Sequence, residues 1–445
     1  MPILNSEQIQ NAVNRCDIFQ SVGTLHSAQG GITATVPAPV GNLCRIDGRN
    51  GNSCLAEVIG FHGDQVQVMP FSPQVNLQRG DRIWDLRERM KLPVGTGLLG
   101  RVINCLGQPI DDLGPLPHCQ KVTVNAQAPA PMSRRPINKV FHTGQKAIDA
   151  MLTIGVGQRV GLLAGSGVGK STLLGEIAKY ASADLNVVAL IGERGREVLP
   201  FIREALGDEG LRRSIVVVSL ADETPLARVR AGESAVAIAN WFRGQGKQVL
   251  LMFDSLTRWA MAQRELGLML NEPPTSRGYT PSVFQRLAVL LEQLGSSDRG
   301  SITALLTVLV EGDDMNDPIA DHARSILDGH IVLSRELANS GHFPAIDILA
   351  SGSRLFLEVT DTTHQANTRS LRQVISSYRE VLDLLQVGAY QKGMVPSTDL
   401  AIDCFPKVQA FLQQAIGQPN SWSDCMQQLI RLGKLCRGPE TARKV

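Results

Sequence analysis

One short segment constrains the fold more than any other feature of this chain of 445 residues. Residues 164–171 read Ala-Gly-Ser-Gly-Val-Gly-Lys-Ser, directly after the apolar run 160–163 and directly before a helical pattern that starts at Thr172. Three glycines allow the backbone N–H groups of a tight loop to point inward, and the start of a helix adds a partial positive charge. This order of strand, loop and helix predicts an α/β domain with a phosphate-binding loop.

The end of this loop carries the groups that interact with phosphate. Lys170 places a positive charge within reach of β and γ phosphates, and the Ser171 hydroxyl is a suitable ligand for Mg²⁺. The strict motif has glycine where Ala164 stands, and a chance glycine turn between strand and helix is the alternative. Because lysine and serine are in register, we expect the phosphates of ATP to be held by Gly165, Ser166, Gly167, Val168, Gly169, Lys170, Ser171 and Thr172.

Two carboxylates follow apolar runs of strand length. Asp254 ends the run 249–253, and Glu193 stands just after the run 187–191. Because parallel strands end at one edge of an open sheet, we predict Asp254 to support the Mg²⁺ and Glu193 to orient the attacking water. The alternatives are a helix cap for Asp254 and a favourable interaction with a helix dipole for Glu193. We interpret the acidic cluster at 311–314 as a loop that positions other groups, or as a solvated turn.

Composition narrows the class of protein. Apolar residues make up 43% and charged residues 19% of a chain too long for one ordinary core, so two or three folded domains are expected. The net charge of +2 gives no reason to expect nucleic acid as a partner. Eight cysteines without a CxxC pair indicate reduced thiols, and the eight scattered histidines offer no catalytic candidate. Without a leader or transmembrane pattern, we expect a cytoplasmic protein that can still attach to a membrane complex through a partner.

The pattern of apolar and polar residues changes three times along the chain and divides it into four segments. A short N-terminal segment, 1–19, carries a helical pattern that is also consistent with a frayed end. Short β-rich runs separated by glycine and aspartate turns predict a β-barrel over 20–87. Alternating apolar runs and helical segments predict a parallel-sheet nucleotide domain over 88–369, entered by an extended, proline-rich connection. Helical periodicity predicts a helical C-terminal domain over 370–445.

Further motifs follow in order along most of the chain. They include Gly-Glu-Arg-Gly-Arg-Glu at 192–197, Asp-Ser-Leu-Thr-Arg-Trp-Ala at 254–260 and Leu-Asp-Gly-His-Ile-Val-Leu-Ser-Arg at 327–335. With these motifs the chain resembles the ATPases of bacterial flagellar and type III secretion export, relatives of the catalytic subunit of rotary ATP synthases. The resemblance implies hydrolysis of ATP with Mg²⁺, in a RecA-like core, to release, unfold and export substrate proteins.

The resemblance also assigns roles to individual residues. It implies that Glu193 is the catalytic carboxylate, that Arg194 lies near the phosphates and that Phe343 stacks on adenine, with an aromatic buried in the core as the alternative for Phe343. It implies that Arg354 is an arginine finger that completes the site of a neighbouring subunit. Gly352 stands where relatives usually carry an apolar residue, which we expect to loosen the backbone of that finger.

The partners implied by the resemblance are those of an export machine. They are further copies of the chain in a homohexamer, a stator-like regulator, a stalk protein, and export substrates with their chaperones. The expected location is the cytoplasmic face of the inner membrane, peripheral to a membrane export gate.

Three other functions share parts of this pattern. A rotary proton- or sodium-translocating ATPase subunit takes its finger from a different subunit, whereas Glu193 and Arg354 here lie in one chain. A ring-shaped nucleic-acid translocase needs clustered exposed aromatic and basic residues on its barrel, and 20–87 supplies only three bulky aromatics. A noncatalytic scaffold subunit is expected to lack Glu193 or Lys170.

Overall fold

The computed structural model of the chain describes residues 21–27, 31–48, 51–73, 76–124, 127–310 and 317–437. The helix predicted near the N-terminus and the acidic cluster at 311–314 lie outside these residues. The described residues form a β-barrel, a central sheet packed between helices, and a helical C-terminal part, which confirms the predicted fold class. No helix within these ranges is long and apolar enough to cross a membrane.

The N-terminal barrel is built from six antiparallel strands whose order is β1-β2-β5-β4-β3-β6. Its closure leaves no strand edge unpaired. In the third strand Cys44 and Ile46 are buried and the intervening Arg45 is exposed, as expected where one face packs on a core. The strands are β1 (Val22–Ser27), β2 (Ile32–Thr35), β3 (Asn42–Asp47), β4 (Ser53–His62), β5 (Gln65–Pro70) and β6 (Arg82–Arg89).

A set of short elements joins the barrel to the central sheet. The described part of the proline-rich segment 109–136 consists mostly of bends, turns and irregular residues, as expected where proline fixes φ and removes an N–H donor. Two short antiparallel pairs, β7 with β9 and β10 with β11, hold the connection in place. These elements are β7 (Lys91–Val94), β8 (Val102–Ile103), β9 (Gln120–Thr123), β10 (Val140–Phe141), α1 (Lys146–Met151) and β11 (Ile154–Gly155).

The central sheet has the strand order β19-β18-β12-β17-β15-β13-β14-β8. All neighbours from β18 to β8 are parallel, whereas β19 runs antiparallel to β18 and the short β16 runs antiparallel to β17. The apolar runs 160–163, 187–191 and 249–253, predicted as strands, lie within β12, β13 and β15. The strands are β12 (Arg159–Ala164), β13 (Leu185–Glu193), β14 (Ser214–Leu220), β15 (Gln248–Asp254), β16 (Gly295–Ser296), β17 (Ser301–Leu309), β18 (Gly329–Leu333) and β19 (Ile346–Ser353).

Both faces of this sheet are buried, which explains why its strands are continuously apolar. Along β13, Val187, Ala189 and Ile191 belong to one apolar core, and the alternate residues Val188 and Leu190 belong to a second core on the other face. Side chains of successive strand residues point to opposite faces, so every position needs an apolar residue.

Helices cover the sheet, and several begin at capping residues that fix the ends of the strands before them. Ser255 caps the helix after β15 by accepting from the Arg258 N–H, which fixes Asp254 at the end of that strand. The helices are α2 (Lys170–Tyr180), α3 (Gly195–Pro200), α4 (Gly207–Arg212), α5 (Pro225–Gly244), α6 (Leu256–Met269), α7 (Pro281–Glu292), α8 (Pro318–Ile326), α9 (Arg335–Asn339) and α10 (Phe356–Val359).

The barrel is attached to this domain by polar contacts. Arg230 Nε on α5 donates to Glu57 Oε2 of β4 at 2.9 Å, where both side chains are largely buried. Gln67 Nε2 of β5 donates to the backbone oxygen of Met269 at 3.3 Å. The barrel and the nucleotide domain therefore share a buried ion pair, which is costly to separate once formed.

Three helices form the C-terminal part. The first begins at the cap Asp361 and buries Leu371, Val374 and Ile375 on the stripe that the periodicity predicts. After it, Gly388 and Gly393 have φ angles of 68° and 103°, which suit glycine in a turn. The helices are α11 (Thr362–Gln386), α12 (Pro396–Leu412) and α13 (Trp422–Leu435).

Candidate active site

The phosphate loop connects β12 to α2 in the context that the sequence predicts. Gly167 and Gly169 have φ angles of 80° and 85°, a region in which a side chain is strained. The helix begins at Lys170, so its first N–H groups face the loop. Free N–H groups and the positive end of the helix dipole together favour an anion at this point.

Lys170 and Asp254 form an ion pair beside the loop. Lys170 Nζ lies 2.5 Å from Asp254 Oδ1, and Thr307 Oγ1 of β17 donates to the same oxygen at 2.7 Å. Asp254 is buried, and these two donors hold its carboxylate at the carboxyl edge of the sheet. The loop, the lysine and the strand-end acid, which lie far apart in sequence, therefore meet at one place.

The oxygen donors at this place suit a hard divalent cation. The exposed Ser171 is the residue after Lys170 and lines the same cavity as Asp254. No group of three or more His, Cys, Asp or Glu side chains suited to a metal occurs among the described residues. Few protein ligands and oxygen donors are typical of Mg²⁺ that is bound together with substrate phosphates. The oxygen donors of Ser171 and Asp254 thus fit Mg²⁺, and the roles of ligand and support stay predictions for these two residues.

Glu193 is the last residue of β13 and is largely buried. Burial raises the pKa of its carboxyl group to about 7, and the negative charge of Asp254 contributes to this rise. The positive charges of Lys170 and Arg258 act in the opposite direction. A carboxylate with a pKa near the working pH is suited to hold a water molecule and accept a proton from it.

Arg258 is a site residue to which the sequence analysis gave no role. Its Nε lies 3.7 Å from Glu193 Oε1, and its Nη1 donates to the backbone oxygen of Gly192. A signal was present in the sequence: Arg258 is four residues beyond the strand-end Asp254, hence on the first turn of the next helix. That turn lies at the same edge of the sheet as Glu193.

These residues line a cavity of about 1020 Å³. Arg194 lies at its wall with an exposed side chain that pairs with Glu197 at 3.5 Å. Arg335, the first residue of α9, lines the same cavity and was also missed by the sequence analysis. Four arginines (Arg194, Arg196, Arg258 and Arg335), one lysine and the helix N-terminus therefore surround a space large enough for a nucleotide triphosphate tail.

A smaller cavity of about 300 Å³ adjoins the loop and is lined mainly by apolar groups. Phe343 is half-exposed on its wall, where its ring would lie 3.4 Å from a Cβ atom at Gly169. The C-terminal part contributes to the wall through Ile416, which lines both cavities. A flat aromatic base suits such a pocket, because stacking and apolar contact need no specific donor.

The segment that carries Ile416 is held against the nucleotide domain by hydrogen bonds. The Gly417 N–H donates to Glu176 Oε2 at 2.7 Å, and Gln414 Nε2 donates to the Gly144 oxygen at 2.7 Å. The Gln414 N–H donates to the backbone oxygen of Phe343 at 3.0 Å. Sequence periodicity did not predict this wall of the pocket, because the contacts that hold it join residues far apart in the chain.

Arg354 lies apart from these groups. It follows β19, is exposed, and lines a separate cavity of about 510 Å³. Its Nη2 donates to the backbone oxygen of Arg324 at 2.9 Å. The structure therefore brings Lys170, Glu193 and Asp254 together but places Arg354 in a different cavity.

The fold and the first cavity define a P-loop nucleotide hydrolase with an N-terminal barrel and a helical C-terminal part. The sequence matches the family described as "ATP synthase alpha/beta family, nucleotide-binding domain" over residues 144–353. It matches the beta-barrel domain of the same family over 18–87 and the "T3SS EscN ATPase C-terminal domain" over 360–431.

Relatives of known name narrow this class. The chain is 44% identical over 420 residues to the flagellum-specific ATP synthase of Bacillus subtilis (strain 168), covering 94% of this chain and 96% of that protein. It is 48% identical over 404 residues to the flagellum-specific ATP synthase of Salmonella typhimurium (88% of each chain). It is 44% identical over 413 residues to the type 3 secretion system ATPase of Xanthomonas euvesicatoria (93% and 92%).

Solved structures agree with these relatives. The fold is similar to that of the assembled ATPase EscN from the type III secretion system of enteropathogenic E. coli, with a TM-score of 0.87 and 41% identity over 92% of this chain and 100% of that chain. The chain therefore belongs to the family of flagellar and type III secretion ATPases, and it is an ATP-hydrolysing enzyme.

Proposed function

We propose that this chain hydrolyses ATP at sites formed between neighbouring copies in a hexameric ring. The energy drives the release, unfolding and export of substrate proteins by a flagellar or type III apparatus. One observation carries the proposal: Lys170, Glu193 and Asp254 line one cavity, whereas Arg354 lines another. Because one copy holds the two halves of the chemistry on separate surfaces, a complete site needs a second copy.

Each half contributes a different part of the reaction. Lys170 and the loop N–H groups bind the β and γ phosphates and neutralise the charge that develops on them. Glu193, when ionised, orients the attacking water and accepts its proton, with Arg194 close to the phosphates. Mg²⁺, held by Ser171 and Asp254, supplies further positive charge to the phosphate oxygens when bound. Arg354 of the neighbouring copy adds a guanidinium to the same phosphate.

The base is held by the smaller cavity. Phe343 stacks on adenine, and Val168, a buried residue of the loop, forms part of the same pocket. The wall from the C-terminal part closes over the base through Ile416. Nucleotide binding therefore uses two parts of the chain, whereas catalysis uses two copies of it.

The partners follow from the relatives. EscN was solved in its assembled form and also in complex with its central stalk EscO, where the TM-score to this chain is 0.84 at 41% identity. By analogy we propose a homohexamer that contacts a stalk protein, a stator-like regulator, export substrates and their chaperones. Its place is the cytoplasmic face of the inner membrane, next to an export gate.

The alternatives are less well supported. The C-terminal residues match the EscN C-terminal domain, which favours export over a rotary proton- or sodium-translocating ATPase. Against a nucleic-acid translocase, Phe71 is buried, Trp84 Nε1 donates to Asp47 at 2.7 Å, and Phe61 alone of the three bulky aromatics in the described barrel is exposed. Lys170 and Glu193 argue against a noncatalytic scaffold.

The first test of this function is Glu193→Gln. The amide keeps the shape of the side chain but accepts the proton of water poorly, so ATP binding should persist while single-turnover hydrolysis falls by about 10²-fold or more. Equilibrium binding of a fluorescent ATP analogue and quenched-flow hydrolysis measure the two effects. Hydrolysis near the wild-type rate would show that Glu193 only stabilises the start of its helix.

The second test asks whether the site is shared. Arg354→Ala and Glu193→Gln subunits, each inactive alone, should recover activity when co-assembled, because an intact Glu193 then faces an intact Arg354. Random mixing in equal amounts limits recovery to about a quarter of wild-type activity. Specific activity of the wild-type protein should also fall steeply on dilution. A verified mixed ring without recovery, together with activity independent of dilution, would place Arg354 in its own subunit's site.

A further inference from the structure

The cavity around Arg354 contains a second arginine. It is lined by residues from α8, from β18, from the end of β19 and by Arg354 just after that strand. Arg354 Nη2 donates to the backbone oxygen of Arg324, so its guanidinium lies against the carboxyl end of α8. The side chain of Arg324 itself lines the cavity. Two guanidinium groups from different elements therefore share one space of about 510 Å³.

The imidazole of His330 lines the same cavity as the two arginines. Its Nε2 lies 3.0 Å from the backbone oxygen of Ala350. Burial lowers the pKa of His330, and the positive charges of Arg324 and Arg354 lower it further. Both guanidinium groups are therefore close enough to act on one ring, which is neutral near pH 7 and adds no charge to the cavity.

The acid in this cavity balances that charge weakly. Asp321 Oδ1 lies 3.3 Å from Arg324 Nη2, but the Asp321 side chain is 76% exposed. A pair open to solvent in this way is screened and contributes little. The Ser325 hydroxyl already donates to the His322 oxygen at 2.7 Å. Among the described residues that line it, the cavity holds two guanidinium groups and one carboxylate, and neighbouring guanidinium groups are suited to bind phosphate oxygens.

We propose that Arg324 is a second trans-acting contact, which binds the terminal phosphate of the nucleotide held by the neighbouring copy, beside Arg354. The inference rests on the proposed shared site and adds a residue to it. Arg354 is anchored by the backbone oxygen of Arg324, and this oxygen is present in every substitution at that position. A change of the Arg324 side chain therefore removes its charge and leaves the anchor of Arg354 in place.

The test begins with Arg324→Ala in the full chain. Turnover should fall about tenfold or more in assembled rings, with the affinity for a fluorescent ATP analogue within about twofold of wild type. Arg324→Lys keeps the charge without the planar fork and should recover part of the turnover. Arg299→Ala, at an exposed arginine in the turn between β16 and β17, is the matched control and should behave as wild type.

Mixed rings separate a trans-acting role from a structural one. Arg324→Ala subunits should regain activity when co-assembled with Glu193→Gln subunits, as Arg354→Ala subunits do. If the Arg354 mixture recovers and the Arg324 mixture does not, the inference about Arg324 is wrong and the shared site stands. If neither mixture recovers, both are wrong. If Arg324→Ala fails to assemble, the turnover of Arg324→Lys rings decides. A partial loss of turnover supports the proposal, and wild-type turnover would overturn a role for the guanidinium fork.

Discussion

The cavity at the phosphate loop and the cavity at Arg354 differ in how much of the chemistry each contains. The first brings a cationic lysine, a buried acid with a raised pKa and a helix N-terminus together around one space. The second offers positive charge on an open surface and holds no phosphate loop. Under the proposed function, nucleotide binding is a property of the single chain, whereas turnover is a property of the contact between two chains.

The largest effect should come from a substitution in the cavity at Arg354. Arg354→Ala should lower turnover about 10³-fold, because a finger neutralises charge that appears only in the transition state, and ATP binding should be unchanged. Steady-state hydrolysis and equilibrium binding on assembled rings measure this. Arg354→Lys, which keeps the charge but not the fork, should lie between the two. A parallel loss of binding and turnover would remove the distinction between the cavities.

The cavity at the phosphate loop should respond differently, because binding and turnover should change together there. Lys170→Ala should weaken ATP binding and lower turnover together, by about 10²-fold or more, since its charge meets the phosphates in the ground state as well. Lys179→Ala is the matched control: the same helix, an ion pair with Glu176 at 3.3 Å, and no contact with the cavity. Thermal unfolding of both variants checks the fold. Activity of Lys170→Ala above about half of wild type would contradict the phosphate-loop assignment.

A smaller effect concerns the pH dependence of the first cavity. The pKa of Glu193 is about 7, and the ionised form is the active one, so kcat/KM should be low below that pH and rise through it. Arg258→Gln removes a positive charge that lowers this pKa, so the midpoint should move to higher pH. The loss in kcat/KM should then be several-fold near about pH 6 and smaller near about pH 9.

The control for this prediction is Arg228→Gln. Arg228 also packs against Gly192, with its Cδ 3.7 Å from an added Cβ atom, but it pairs with Glu265 rather than with Glu193. Its pH profile should keep the wild-type midpoint. An equal loss at every pH in Arg258→Gln would show that Arg258 acts by direct contact with substrate and not through the pKa of Glu193.

The smallest effect concerns Gly352, which lies two residues before the proposed arginine finger Arg354. Gly352 has an ordinary φ and open space around an added Cβ atom, so Gly352→Ala should raise the free energy of unfolding by about 0.4–1 kcal/mol without changing turnover. Gly329 lies on the neighbouring strand β18, where it pairs with Ser353. A Cβ atom at Gly329 would lie 2.8 Å from the Gly352 oxygen, so Gly329→Ala should destabilise the chain. Denaturant unfolding compares the two. A change in turnover with Gly352→Ala would mean that the finger needs a flexible strand.

Local sequence patterns predicted the parts of the site that are built locally. The glycine loop, Lys170 and the strand-end carboxylates each follow from one strand and the turn after it. The antiparallel β19 was not predicted, because its residues 346–353 mix polar and small side chains and lack the continuous apolar run of the inner strands. The C-terminal wall of the base pocket depends on contacts between distant residues such as Gly417 and Glu176, which no local pattern encodes.

The assignments of individual site residues stay predictions until the variants are made, but the fold already limits how they can work. The wall that carries Ile416 joins the helical C-terminal part to the pocket for the base. A ligand that contacts both parts binds more tightly when they are close together, and by reciprocity holding them together tightens the ligand. A partner that moves the three C-terminal helices away from the pocket should therefore weaken nucleotide binding, and a bound nucleotide should by the same amount oppose that movement.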